Sequence, residues 1–325
     1  MSIRYVTAMP RPSRESLSGK VLEEIRREFG SEAEPFTLHR SLPEVLAGAW
    51  MACRETLLAG NGRREARETV AATVSALNCC PYCVDAHSLM LRAATGRAKQ
   101  IGDTHLRDIA AWAAATRTPQ SALLRDPPFS PDEAPAFRGT AVFFHYINRM
   151  VTILLGSSPL PLKTGIGKEV SMRLAAWYFT PAIRKRKIPG RSLWLLPEAP
   201  LPPDLSWAEP SPAIAGAFAR FAHTVEIAGT AACPDPVRAL TDDAIRRWDG
   251  SDAGMTTQWC EAAVARLNEI DRPSGRLALL TALSPYRVTP ELVRDFSERM
   301  PGDRALIGML SWCSLKAARK IGSWI

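Results

Sequence analysis

The segment Glu68–His87, ETVAATVSALNCCPYCVDAH, gathers the residue types most able to do chemistry: Cys80, Cys83 and His87 stand three and four residues apart. On a helix that spacing puts all three on one face. Pro81 suits a first helical turn and Asn78 offers a capping side chain just ahead of it. The sulfurs are therefore predicted at the positive end of a helix, where unpaired amides favour a thiolate. A free cysteine titrates at about 8.5, and such surroundings lower that by one to several units. His87, one turn beyond Cys83, is placed to take a thiol proton, and Glu68 in the preceding helix is placed to orient the imidazole or carry the proton away. That contact requires Val70–Leu77 to be a helix that breaks at Asn78, so that the chain bends back on itself.

Three other chemistries suit parts of the same pattern. A zinc site would use the CxxC pair and His87, but no second CxxC, CxxH or HxxxH occurs, so Cys79 or a distant residue would have to complete it. Cys80, Cys83 and His87 could instead be buried core residues, the usual fate of each taken singly. A thioredoxin-type motif would need a βαβ context, and the flanks are helical.

The elements that must position these residues read as helices. Leu17, Val21, Leu22, Ile25 and Phe29 recur at three- and four-residue steps, as do Leu46, Trp50, Cys53 and Leu57. Alternating strand patterns are scarce, so the chain is predicted to be all-α. Gly165, Gly167 and Lys168 faintly suggest a phosphate loop, but Glu169 stands where a metal-binding Ser or Thr belongs. Prolines cluster between Ser157 and Pro212, marking a connector interrupted by a short helix over Glu169–Phe179, with Leu195–Pro203 extended. The halves on either side are alike. Apolar helices over Leu42–Leu58 and Ile214–Ala228 each follow a Pro-containing start, and Ala136–Leu155 pairs with Ala305–Ile325, which suggests an internal duplication.

Composition bounds the class. The 325 residues are 46% hydrophobic and 23% charged, which excludes a disordered or fibrous chain, and the length exceeds that of one ordinary core. Forty-one Lys and Arg against 33 Asp and Glu give a net charge of +8. The charges are interspersed, and the one dense run, Arg184 to Lys187, lacks the interleaved aromatics of a nucleic-acid surface. Ala141–Leu155, the longest apolar stretch, is interrupted by His145, Asn148 and Arg149 and is too short for a membrane span. No export signal is visible, and seven cysteines, an odd number, suit reduced thiols in a cytoplasm. Cys53, Cys233, Cys260 and Cys313 stand alone and receive no role. His145 and His223 lie in apolar helices as core or interface residues rather than ligands, and His39 and His105 are unassigned.

Glu68, Cys80, Cys83 and His87 at these spacings, with NCCPYCVDAHS around them and HYINR at His145–Arg149, resemble the active-site signature of the AhpD-like alkylhydroperoxidases, relatives of the carboxymuconolactone decarboxylases. The likeness covers roughly Pro35–Leu155. It implies an all-α AhpD-like fold and a homo-oligomer acting as a thiol peroxidase without cofactor or metal. By the same likeness Cys83 attacks the peroxide, Cys80 resolves the sulfenic acid, His87 and Glu68 relay protons, and an external dithiol, lipoyl-like or thioredoxin-like, restores the thiols. The alternatives are a decarboxylase-like acid/base enzyme acting on a small lactone or ring acid, and a non-catalytic helical scaffold. Tyr82 departs from relatives that carry a relay histidine there. The organisation so expected is an N-terminal helical extension (1–35), a unit carrying the site (36–156), the Pro-rich connector (157–212) and a degenerate second unit (213–325) that keeps only a lone Cys260 followed by Glu261.

Overall fold

The computed structural model describes residues 3–60, 63–95, 104–155, 177–183, 185–254 and 256–325, and all regular structure among them is helical. The first half comprises α1 (Leu17–Phe29), α2 (Glu34–Thr37), α3 (Pro43–Cys53), α4 (Arg64–Leu77), α5 (Pro81–Thr95), α6 (Thr104–Ala115), α7 (Ala122–Arg125) and α8 (Ala134–Leu154). After α9 (177–183) come α10 (Pro212–Ala232), α11 (Asp235–Arg247), α12 (Gln258–Val264), α13 (Arg272–Leu283), α14 (Pro290–Arg299) and α15 (Asp303–Gly322). The Gly165–Glu169 segment and most of the predicted Glu169–Phe179 helix lie outside the described residues. Residues 196–202 run without regular structure, as their prolines dictate, between short 3₁₀ turns at Leu193–Leu195 and Pro203–Ala208.

Local signals set the boundaries. Ser16 caps α1 by accepting the Gly19 N–H, and Gly30 at φ 97° ends it in the left-handed region. Pro43 and Pro212 open α3 and α10, where the missing N–H costs nothing. A single π turn, Arg54–Leu58, prolongs α3, and there the buried Arg54 guanidinium is held by Glu28 and Glu55, each at 2.6 Å.

The four helices that the sequence likened to one another form the centre. α10 lies between α3 and α15, and α15 packs along α8, which in turn receives α4. Small residues allow the closest approaches: a Cβ on Gly48 would stand 2.9 Å from the Phe221 backbone, and one on Gly308 would stand 2.9 Å from the Ala228 carbonyl. One contiguous apolar core runs from Val21 to Ile325 through both halves. Lys187, part of the basic run, is buried rather than solvated and donates to the Ala182 and Lys185 carbonyls. No helix of the described residues is long and apolar enough to cross a membrane.

Candidate functional site

α4 ends as a Schellman turn. The Cys79 N–H donates to the Ala76 carbonyl and the Cys80 N–H to the Ser75 carbonyl, both at 3.0 Å, while Cys79 takes φ 52°. This left-handed residue reverses the chain, and α5 starts at once with Pro81 in its first position. Asn78 does not cap α5 as the sequence suggested. It closes α4, and its Nδ2 donates to His145 Nδ1 and to Asn148 Oδ1, both at 3.0 Å. Cys80 occupies the capping position, with Val84 N–H on its carbonyl and the Cys83 N–H on its sulfur.

The same reversal brings α4 alongside α5, so that His87 Nδ1 lies 2.7 Å from Glu68 Oε2. Glu68 is fully buried, and Arg64, one turn earlier on α4, donates to its other oxygen at 2.8 Å. Burial alone would raise the Glu68 pKa, but the Arg64 and His87 charges and hydrogen bonds overcome it and hold the carboxyl below its ordinary value. A carboxylate on Nδ1–H fixes the ring tautomer and leaves Nε2 as the acceptor nitrogen. The ring meets Phe144 edge-on at 4.5 Å.

The two sulfurs are unlike. The Cys83 thiol donates to Cys80 and, against the burial that opposes it, lowers the Cys80 pKa, with further lowering from the Cys83 N–H, Thr152 and Asn148. Cys83 is pushed well above the ordinary thiol value by burial, by its own donation and by the charge beside it. Of the two sulfurs, Cys80 is therefore the one that ionises first. Both cysteines are reduced, as are the other five.

Behind the turn, His145 is fully buried. Thr116 donates its proton to the Ala113 carbonyl at 2.8 Å and so accepts from His145 Nε2 at 2.9 Å, which leaves Nδ1 to accept from Asn78. Burial, then the Arg149 and Arg117 charges, push His145 far below the usual histidine value, so the ring is a fixed neutral strut under the Cys79 turn.

A cavity of about 540 Å³ opens beside the pair. Cys83 and His87 lie on its wall, whereas Cys80 and Glu68 do not; the rest is mainly apolar, with Phe36, Met90, Phe143, Phe144 and Phe179 prominent. Cys53, given no role by the sequence, also reaches the wall, its thiol pushed up by burial. Tyr82 lines it too, its hydroxyl donating to Glu34 at 3.0 Å. The structure thus brings together all four residues singled out from the sequence and adds Arg64, Asn148, Glu34 and the aromatic wall. Only Arg64 had a local signal, an opposite charge four residues before Glu68 on one helix face.

Residues 44–123, from α3 into α7, match the carboxymuconolactone decarboxylase family. An alkyl hydroperoxide reductase of Mycobacterium tuberculosis is 38% identical over 316 residues, spanning 94% of this chain and 90% of that protein. The chain belongs to the AhpD-like carboxymuconolactone decarboxylase family. Its AhpD-like segment, as matched, stops short of α8, yet α8 supplies Phe143, Phe144 and Asn148 to the site. The AhpD-like turn is therefore completed by a helix that packs on the second half through α15.

Proposed function

We propose that the protein is a thiol peroxidase that reduces organic hydroperoxides with the Cys83 and Cys80 pair. The observation that carries this is the placement of Cys83 and His87 on the wall of one apolar cavity, with Cys80 and Glu68 directly behind them in hydrogen-bonded contact. The similarity to a protein named alkyl hydroperoxide reductase supports the same substrate class.

In this mechanism the Cys83 proton passes to the Cys80 thiolate, and the Cys83 sulfur so ionised attacks the outer peroxide oxygen. The O–O bond breaks, the sulfur becomes a sulfenic acid, and the alkoxide takes the proton that Cys80 received, passed through Nε2 of His87, whose tautomer Glu68 fixes, and leaves as alcohol. Cys80, again a thiolate, attacks the sulfenic sulfur and expels hydroxide, which is protonated to water as the Cys80–Cys83 disulfide forms. An external dithiol, lipoyl-like or thioredoxin-like, reduces that disulfide through a mixed disulfide and is itself oxidised. An odd number of cysteines, seven, suits a cytoplasmic setting, and exposed Trp177, Tyr178 and Trp194 suit a homo-oligomeric contact. The domain reading accompanies this proposal: a catalytic unit at 36–156 and a degenerate repeat at 213–325.

The decarboxylase-like alternative gains nothing from the cavity. Among the described residues its wall carries Glu32 and Glu34 and no Lys or Arg, so a ring acid would meet like charge and no counter-ion. The test is intact-mass analysis after a stoichiometric pulse of cumene hydroperoxide on reduced protein, beside Cys80→Ser and Cys83→Ser. Loss of two hydrogens in the parent protein, a sulfenic acid trapped in Cys80→Ser and no reaction in Cys83→Ser are expected. A parent protein that stays reduced overturns the proposal, and a reactive Cys83→Ser exchanges the roles of the sulfurs.

A further inference from the structure

A second cavity, of about 400 Å³, lies between the halves on the other side of the Cys79 turn. From the first half it takes Asn78, Cys79, Arg117 and Arg149, and from the second Asp252, Leu283 and Tyr286. Its two chain reversals are alike in sequence: Ala76-Leu77 leads through Asn78-Cys79 to Cys80-Pro81-Tyr82, and Ala282-Leu283 leads directly to Ser284-Pro285-Tyr286.

The charge balance there is unusual for a buried wall. Arg149 is 4% exposed, and among the described residues no carboxylate pairs with it. Its Nε donates to the Ala282 carbonyl at 2.9 Å and its Nη1 to the His145 carbonyl, so Nη2 is outside those bonds. Arg117 donates to the Gly250 carbonyl at 3.1 Å and to Asp252 at 2.7 Å, but that carboxylate is 69% exposed. Both guanidinium groups stand within 6 Å of the same Trp248 ring, at 5.6 and 5.9 Å. Burial and the neighbouring Arg117 charge lower the Arg149 pKa to about 9, the direction expected of a cation short of a counter-ion. Paired guanidinium groups in a recess of this size suit an oxyanion, which would receive charge-assisted hydrogen bonds from both.

We infer that this cavity binds a small organic oxyanion, a carboxylate or a phosphate ester, between Arg117 and Arg149 at the junction of the two halves. The site stands apart from the peroxidase proposal, because its test reads binding rather than turnover. Cys79 supplies a built-in reporter on the wall, since it is the exposed cysteine and the other six are buried.

The experiment is calorimetric titration of the reduced full chain, in low-salt buffer, with succinate, inorganic phosphate and the neutral succinamide, repeated on Arg117→Gln. Binding of one anion per chain is expected, with no heat from succinamide and affinity weakened about tenfold or more in Arg117→Gln. Succinate alone would mark a carboxylate ligand, phosphate alone a phosphate ester, and both the shared chemistry. Should Arg117→Gln not fold, the parent protein decides: a bound anion is expected to slow iodoacetamide labelling of Cys79, mapped by peptide mass. The inference is overturned if neither anion binds at about 10 mM, a weak limit for a paired-arginine site, or if affinity is unchanged in Arg117→Gln. In the fallback, it is overturned if labelling of Cys79 is unaffected by the anion.

Discussion

Glu68 is a carboxylate with no exposure, and its charge survives only because Arg64 and His87 both touch it. Its pKa lies below the ordinary value, so the stability it contributes is present above the unfolded-state pKa, about 4.3, and is lost as pH falls through the lower folded value. Glu68→Gln removes the anion and leaves Arg64 and His87 facing a neutral amide. A loss of about 2–4 kcal/mol at pH 7 is expected in urea denaturation, narrowing as the pH is taken below about 4. The same variant is expected to slow single-turnover peroxide reduction about 10²-fold. An unaltered rate would remove the dyad from proton transfer, and a stability gap indifferent to pH would show that the lost contact was not ionic. The dyad itself was legible from spacing, because Glu68, Cys80, Cys83 and His87 lie on two consecutive helices. Asn148, which touches the pair and lies 70 residues from its partner Asn78, gave no local sign.

At the scale of elements, the central helices α3, α8, α10 and α15 follow from their apolar periodicity, and the Leu42–Leu58, Ala136–Leu155, Ile214–Ala228 and Ala305–Ile325 stretches all form helices close to those bounds. What periodicity leaves open is how closely two helices approach. On α10, a Cβ at Gly229 would fall 2.1 Å from Cδ1 of the buried Trp312 on α15, near the root of a large side chain that cannot swing aside. Gly229→Ala is therefore expected to destabilise the protein by about 1–3 kcal/mol through overpacking, measured as a lower urea midpoint with unchanged slope. A midpoint equal to the parent's would mean that α10 and α15 are farther apart than described. The cavity beside Cys83 shows the same limit of local information. Its wall draws Phe29 from α1 and Phe179 from α9, elements expected to be an extension and a connector.

For the whole molecule, two buried histidines tie stability to pH. His39 sits between the Phe36 carbonyl at 3.2 Å and the Tyr146 hydroxyl, which donates to Nε2 at 2.6 Å, and burial lowers its pKa to about 4. His145 is lowered further by burial and by the two arginines of the second cavity. A histidine with a depressed folded pKa is neutral in the fold and protonated in the unfolded chain, so stability is full above about 6.5 and falls as the pH drops below it. Unfolding is expected to take up about two protons between pH ~6 and ~4.5, a steepest loss of ~2.7 kcal/mol per pH unit. Urea denaturation at pH 7.5, 6.5, 5.5 and 5.0 measures this slope. His39→Asn is expected to reduce it by about one proton, and a flat profile from pH 7 to 5 would mean that neither ring is held neutral.

The sequence by itself determined the helices, the break at Asn78 and the common face of Cys80, Cys83 and His87, because helical periodicity, proline and short spacings act within a turn or two of chain. Tertiary structure decided which sulfur meets the cavity, which one ionises more readily, what supports the Cys79 turn and where two arginines face one recess. Those properties depend on burial and on side chains brought from distant helices, and neither desolvation nor a contact between the two halves is written in local spacing.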